Sequence, residues 1–157
     1  MVDEQNDPAA EARDLLRGAS IATLATAARM RDGWPFASLV LIAHDRHGAP
    51  LLLLSDLAEH SRNIKADERV SLLVDGTAGY EDPLSGPRLT VLGRARRTTD
   101  ASHRERFLAS HASAAQYADF ADFALYRVTV DSAHLVAGFG RIHWITAEAL
   151  LDRPEDA

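Results

Sequence analysis

The 157-residue chain contains no cysteine. That absence removes disulfides, zinc–thiolate sites, iron–sulfur clusters and cysteine nucleophiles together. It also lacks an apolar run near the ~20 residues that a membrane-spanning helix needs. Its longest apolar stretches have the length of strands, so no membrane partner is expected. Basic surplus is missing too: 17 Lys and Arg stand against 23 Asp and Glu, a net charge of −6. So acidic a chain is a poor general binder of nucleic acid or anionic lipid. Its expected partners are a small-molecule substrate and a second copy of itself. The first residues, MVDEQNDPAAEARDLL, are acidic where a secretion signal would be basic and then apolar, which reads as cytoplasmic. No internal repeat and no domain-sized linker is present. The length suits one domain, read as a disordered lead-in over 1–8 followed by a single domain over 9–157.

What the chain does have is concentrated between 51 and 74, LLLLSDLAEHSRNIKADERVSLLV. This reads as a buried strand, a turn, a short helix to about 66 and another strand from 69. The strand-to-helix corner gathers Ser55, His60, Ser61, Arg62 and Asn63. Hydroxyls, an imidazole and a guanidinium near a helix start can enclose a phosphate. Asp56 and Glu59 have the spacing of a capping box, which would place negative charge at that same start.

The remaining pattern predicts a helix over 9–16 and a strand over 20–26 buried on both faces. A strand over 36–43 follows, with a turn into the strand 51–54. A strand over 88–97 alternates Leu89, Val91 and Gly93 against Arg88, Thr90 and Leu92. Helices are expected over 100–111 and 112–117. A strand over 124–130 reads as continuing through 133–137, then a strand over 141–145 and a final helix capped by Thr146. Many short strands with tight turns indicate a mainly β, antiparallel barrel with flanking helices.

Other motifs sort by geometry. His44 and His47 sit in a turn with Gly48 and Pro50, so the H-x-x-H pair is not read as a metal site, and no metal is expected. Gly138-Phe139-Gly140 lacks the third glycine and the following helix of a dinucleotide loop. In RIHW, Arg141 and His143 share one face by period-2 alternation, a cation beside an imidazole that suits an anionic ligand. Arg96 and Arg97 read as a solvated edge. Phe107, Tyr117, Phe120, Phe123 and Tyr126 read as helix-to-barrel packing or dimer contacts.

Three segments, SDLAEHSRNIKADERVSLLV from Ser55, DPLSGPRLTVLGRA from Asp82 and AHLVAGFGRIHW from Ala133, carry a resemblance. In order and spacing the chain resembles the FMN-binding split-barrel superfamily, typified by pyridoxamine 5'-phosphate oxidase, and within it the haem-iron utilisation branch. The resemblance implies a six-stranded Greek-key split barrel that dimerises, with FMN in the groove between subunits. It implies Ser38, Leu39, Val40 and Leu41 as the strand lining the flavin, and Leu54 and Ser55 near the ring edge. His60, Ser61 and Arg62 would hold the phosphate, Arg88 would face the ring, and Arg141 and His143 would hold substrate. The oxidase pattern has an Arg and a Lys where this chain has Ser38 and Ala43, and each lost charge-assisted contact is worth about 1.5–3 kcal/mol. The function implied first is flavin-dependent oxidoreduction of a small substrate. The alternatives are haem binding or degradation with His143 or His134 on the iron, and a non-catalytic dimeric binding protein that has lost flavin.

Overall fold

The structure, a computed structural model, describes residues 7–151. Helix α1 (Pro8–Arg17) starts where the Asp7 carboxylate accepts the Ala9 N–H at 3.0 Å and Pro8 supplies a preset first φ. Residues 7 and 8, read from the sequence as lead-in, are thus the cap and first residue of this helix. The rest of that lead-in, 1–6, lies outside the described residues, as do 152–157. The strands are β1 (Ile21–Ala28), β2 (Trp34–Leu41), β3 (Ala43–His44), β4 (Pro50–Ser55), β5 (Arg69–Asp75), β6 (Arg88–Arg97), β7 (Phe123–Val136) and β8 (Ile142–Thr146). Between and after them come α2 (Glu59–Ala66), α3 (Ala101–Ser110) and α4 (Ala147–Leu150). Residues Ala112–Gln116 form a 3₁₀ turn rather than the expected second helix. No helix among the described residues is long and apolar enough to cross a membrane.

All strand pairs are antiparallel, in the order β2-β1-β5-β6-β7-β4-β3, with β8 added outside β7. β3 follows β2 after the single residue Ile42, yet the two lie at opposite ends of that path. The chain itself therefore joins the two edges, and the sheet curls around its core. Eight strands replace the expected six. Beyond the six that the resemblance implied, a break at Ile42 divides one strand, and the strand read over 141–145 is β8, which pairs with the far end of β7.

The concave face buries Leu24, Leu52, Leu72, Leu89, Val91 and Leu135, and α1 and α4 close over it with Ala12, Leu16 and Leu150. β1 was expected to be buried on both faces. It alternates instead, with Ala22, Leu24 and Thr26 buried and the intervening side chains half-buried or exposed. Small apolar residues on both faces hide this asymmetry, because Ala and Thr carry little pattern. A second cluster, Leu51, Ala43, Phe107 and Ala114, forms where α3 packs on the outside of β3 and β4.

β6 and β7 shift register between Leu92 and Gly93, a bulge that leaves Asp131 of β7 without a cross-strand partner. Gly93 is required there. A Cβ at this position would lie 2.5 Å from the Thr129 carbonyl oxygen and 2.7 Å from Val128 Cγ1. Since the nearest atom is backbone, relief needs the ladder to move. Gly93→Ala is expected to destabilise the fold by about 1–3 kcal/mol, in line with overpacked cores. A denaturant midpoint unchanged by the substitution would refute this contact.

Candidate functional site

The corner built by β4 and α2 takes an arrangement that the sequence did not show. Ser55, at the end of β4, donates its hydroxyl to Asp122 Oδ2 at 2.7 Å and accepts the Leu57 N–H at 3.1 Å. It is a turn-former rather than a free ligand. The capping box does not form, and α2 begins after Ala58 with no side-chain cap. Asp56 is drawn away to Arg97 of β6. The cap expected from Asp56 is absent, which leaves the first N–H groups without side-chain acceptors, while Glu59 keeps a carboxylate in the first turn.

From there the helix divides its polar residues between two flanks. On the β1–β2 flank, His60 Nδ1 and Ser38 Oγ are 3.0 Å apart. Burial holds the His60 imidazole below its ordinary pKa, so it is neutral near pH 7. Asn63, 1% exposed, donates to Thr26 Oγ1 and accepts the Arg29 N–H, both at 3.1 Å, which locks α2 to β1. On the opposite flank, Ser61 is buried and Arg62 exposed beside the ends of β6 and β7. The four strand residues expected to line a flavin also separate. Ser38 and Val40 turn toward the core, where Val40 is 7% exposed. Leu39 and Leu41 point outward at 73% and 38%. Leu54 is buried in the core.

The outer face of the sheet is the larger feature. Pairing runs Leu39 to Thr23, Thr23 to Leu73, Leu73 to Thr90, Thr90 to His134 and His134 to Trp144. One transverse row thus crosses β2, β1, β5, β6, β7 and β8. Beside it stand Leu41, Ile21, Arg88, Val136 and Ile142. Trp144 is 66% exposed and Ile142 60%, so large apolar side chains on this face are open to solvent, interspersed with Thr23, Thr90, Arg88 and its exposed cross-strand partner Asp75. Such a patch on a monomer marks a binding or association surface. His134 sits within it, its ring 4.7 Å from that of Trp144 and edge-on.

Arg88 belongs to this face, although its guanidinium turns back to the Leu84 and Gly86 carbonyls at 2.8 and 3.3 Å. Arg141 and His143 do not. Arg141 pairs with Glu11 of α1 at 3.0 Å, and His143 stands opposite the buried Leu135, on the side facing the helices. The alternation read in RIHW holds, but the face with the ligand-sized surface carries Ile142 and Trp144. Sequence reasoning passed over Trp144. The available signal was that Trp144 and Ile142, two large apolar residues, share the face that a short strand turns outward. Among the described residues no group of three or more His, Asp or Glu could hold a metal ion.

Comparison with known proteins agrees with this architecture. The non-canonical chloroplastic heme oxygenase HOZ of Arabidopsis thaliana is 32% identical over 134 residues, covering 83% of this chain and 40% of the plant protein. A heme binding protein from Mycobacterium smegmatis superposes with a TM-score of 0.87 at 35% identity, covering 96% of this chain and 61% of its own. The chain thus spans less than two thirds of either relative. A Clostridium acetobutylicum protein of the pyridoxinephosphate oxidase family superposes at TM-score 0.69 and 13% identity, covering 95% and 99%, and shows the fold alone. The resemblance to split-barrel proteins, with haem-utilising neighbours, is therefore established. The family described as CREG, beta-barrel, matches residues 3–151, and the chain belongs to it.

Proposed function

We propose that this protein binds haem on the outer face of its sheet, in a groove completed by a second copy of the chain, and serves in haem turnover. The row Leu39–Thr23–Leu73–Thr90–His134–Trp144 carries this reading. Haem is flat and apolar with two carboxylates, so it needs an apolar plane, an iron ligand and a cation within reach. The outer face has Trp144, Ile142 and Val136 for the plane beside His134 for the iron, and Leu73 and Leu39 extend the apolar row toward the other edge. Arg88, level with the β7 residue two positions beyond His134, is the cation of this face, and its guanidinium would turn from the Leu84 and Gly86 carbonyls to meet a carboxylate. Bound haem would bring redox-active iron and a conjugated ring that is itself the molecule consumed in a breakdown reaction. The part of this chain is to hold that ring, exclude water from one side and fix its orientation through the carboxylates. The second copy is favoured because a chain with Ile21, Leu39, Ile142 and Trp144 open to water gains by covering them. The two relatives whose names mention heme support haem as the ligand.

Haem titration tests it. A Soret band that saturates with added haem is expected, and Trp144→Asp, which puts a charge on the exposed apolar face, should weaken haem binding at least about tenfold. Unchanged affinity in the variant would move haem off this face, and a monomer in sedimentation would remove the shared groove.

A second reading is FMN. The specific observation in its favour is the uncapped start of α2 beside His60 and Ser38, which suits a phosphate. Quenching of flavin fluorescence by the protein, abolished in His60→Ala, would support it. Unchanged flavin emission would exclude it.

A further inference from the structure

We propose a second anion site on the flank of α2 that faces away from Ser38 and His60, shaped for a small phosphorylated ligand. A cavity of about 730 Å³ opens between α2 and the ends of β6 and β7. Arg62, Lys65, Arg96 and Arg97 line it with two carboxylates, Asp56 and Glu68. Four cations against two anions is an unusual balance in a chain of net charge −6. Both carboxylates are already committed. Glu68 grips Arg96 through two hydrogen bonds, at 3.0 and 2.8 Å, and Asp56 holds Arg97. These pairs keep the two guanidiniums in fixed positions at the cavity rim.

Arg62 and Lys65 remain. They stand three residues apart on one face of α2, where side chains are neighbours, and neither pairs with a described carboxylate. A second cavity of about 340 Å³, lined by Arg29, Arg62 and Lys65, adjoins the first. The positive surface therefore continues around the helix.

Ser61 is the independent observation. It lines the larger cavity, is 4% exposed, and its buried hydroxyl has no hydrogen-bond partner. A buried donor left unmade is destabilising unless something accepts its proton. A phosphate oxygen is such an acceptor, and the fork of Arg62 with the Lys65 ammonium beside it matches the other oxygens of a phosphate. The buried Tyr126 and Ala95 also line the cavity. The site is separate from the outer sheet face and does not rest on the haem reading.

Calorimetric titration of the full chain with tripolyphosphate, without haem or flavin, tests the site. Binding is expected, weakened at least about tenfold by Arg62→Glu, since charge-assisted contacts carry it, and several-fold by Ser61→Ala. Arg46→Glu, the same charge change on the exposed turn between β3 and β4, should leave affinity within about twofold once salt screens distant charges. No binding by the unsubstituted protein would overturn the site. So would equal weakening by Arg46→Glu, which would reduce the effect to net charge. A Soret titration of the same Arg62→Glu protein reads the other site, so either proposal can fail alone.

Discussion

The His134→Ala protein is expected to lose the ligand-shifted Soret band on adding haem and to bind haem at least about 100-fold more weakly. Partners that merely orient a metal ligand already cost 10–100-fold when removed. His143→Ala is the matched control, and it should bind normally. The two histidines lie on neighbouring strands, but by register they take opposite faces. His134 pairs across from Trp144 on the open side, and His143 pairs across from buried Leu135. His134 is half-buried and touches the Trp144 ring, so its loss leaves the core intact, and circular dichroism should confirm an unchanged fold. The opposite pattern, a band kept by His134→Ala and lost by His143→Ala, would place haem on the helix side and end the outer-face proposal.

The second large effect concerns Asp45, whose side chain is 4% exposed. Its carboxylate accepts the N–H groups of His47 and Ala49, both at 2.9 Å, and the Arg127 Nε at 2.8 Å. It shapes the turn between β3 and β4 and ties that turn to β7. Removing one member of a buried pair strands the other charge, so Asp45→Ala is expected to cost about 3–5 kcal/mol. For a domain this size that is a fall in Tm of roughly 2–4 °C per kcal/mol. Burial alone would raise the Asp45 carboxyl, but the Arg127 hydrogen bond and the two backbone donors outweigh it and hold the pKa below 3.8. The sign follows: this stabilisation is complete above pH 3.8 and is lost as pH falls through the lower folded value. Thermal melts of both proteins across that range should therefore converge in acid. A constant difference in Tm down to the lowest pH would show that Asp45 acts through packing rather than charge.

How much of this was legible depended on how local the cause was. β6 has the bounds its alternation gave, Arg88–Arg97, and Thr146 caps α4 through the Ala149 N–H at 3.1 Å. α3 (Ala101–Ser110) lies within one residue of the bounds read for it, 100–111, at each end. Each rests on neighbours a few residues apart. The capping box at Asp56 failed for the opposite reason, since Arg97, 41 positions away, competes for the same carboxylate. Arg96 and Arg97, read as a solvated edge, became the rim of a cavity once α2 was folded against them. The corner residues had the right composition for an anion, but whether His60 and Ser61 share a site depends on which flank of α2 each occupies. Spacing on an eight-residue helix does not say what packs against either side.

By itself the sequence determined which residues within one strand share a face, because side chains in extended backbone alternate whatever the strand pairs with. It also determined the family, through three short segments in order. Tertiary structure alone decided which strands lie side by side and in what register. Leu39 and Trp144 enter one row only because β1 skips β3 and β4 to pair with β5, and because the registers of all six strands then line up. Register follows from burying one face of every strand at once. That is a property of the whole sheet, so the open face left on its other side, where the proposed ligand lies, is written in no single segment.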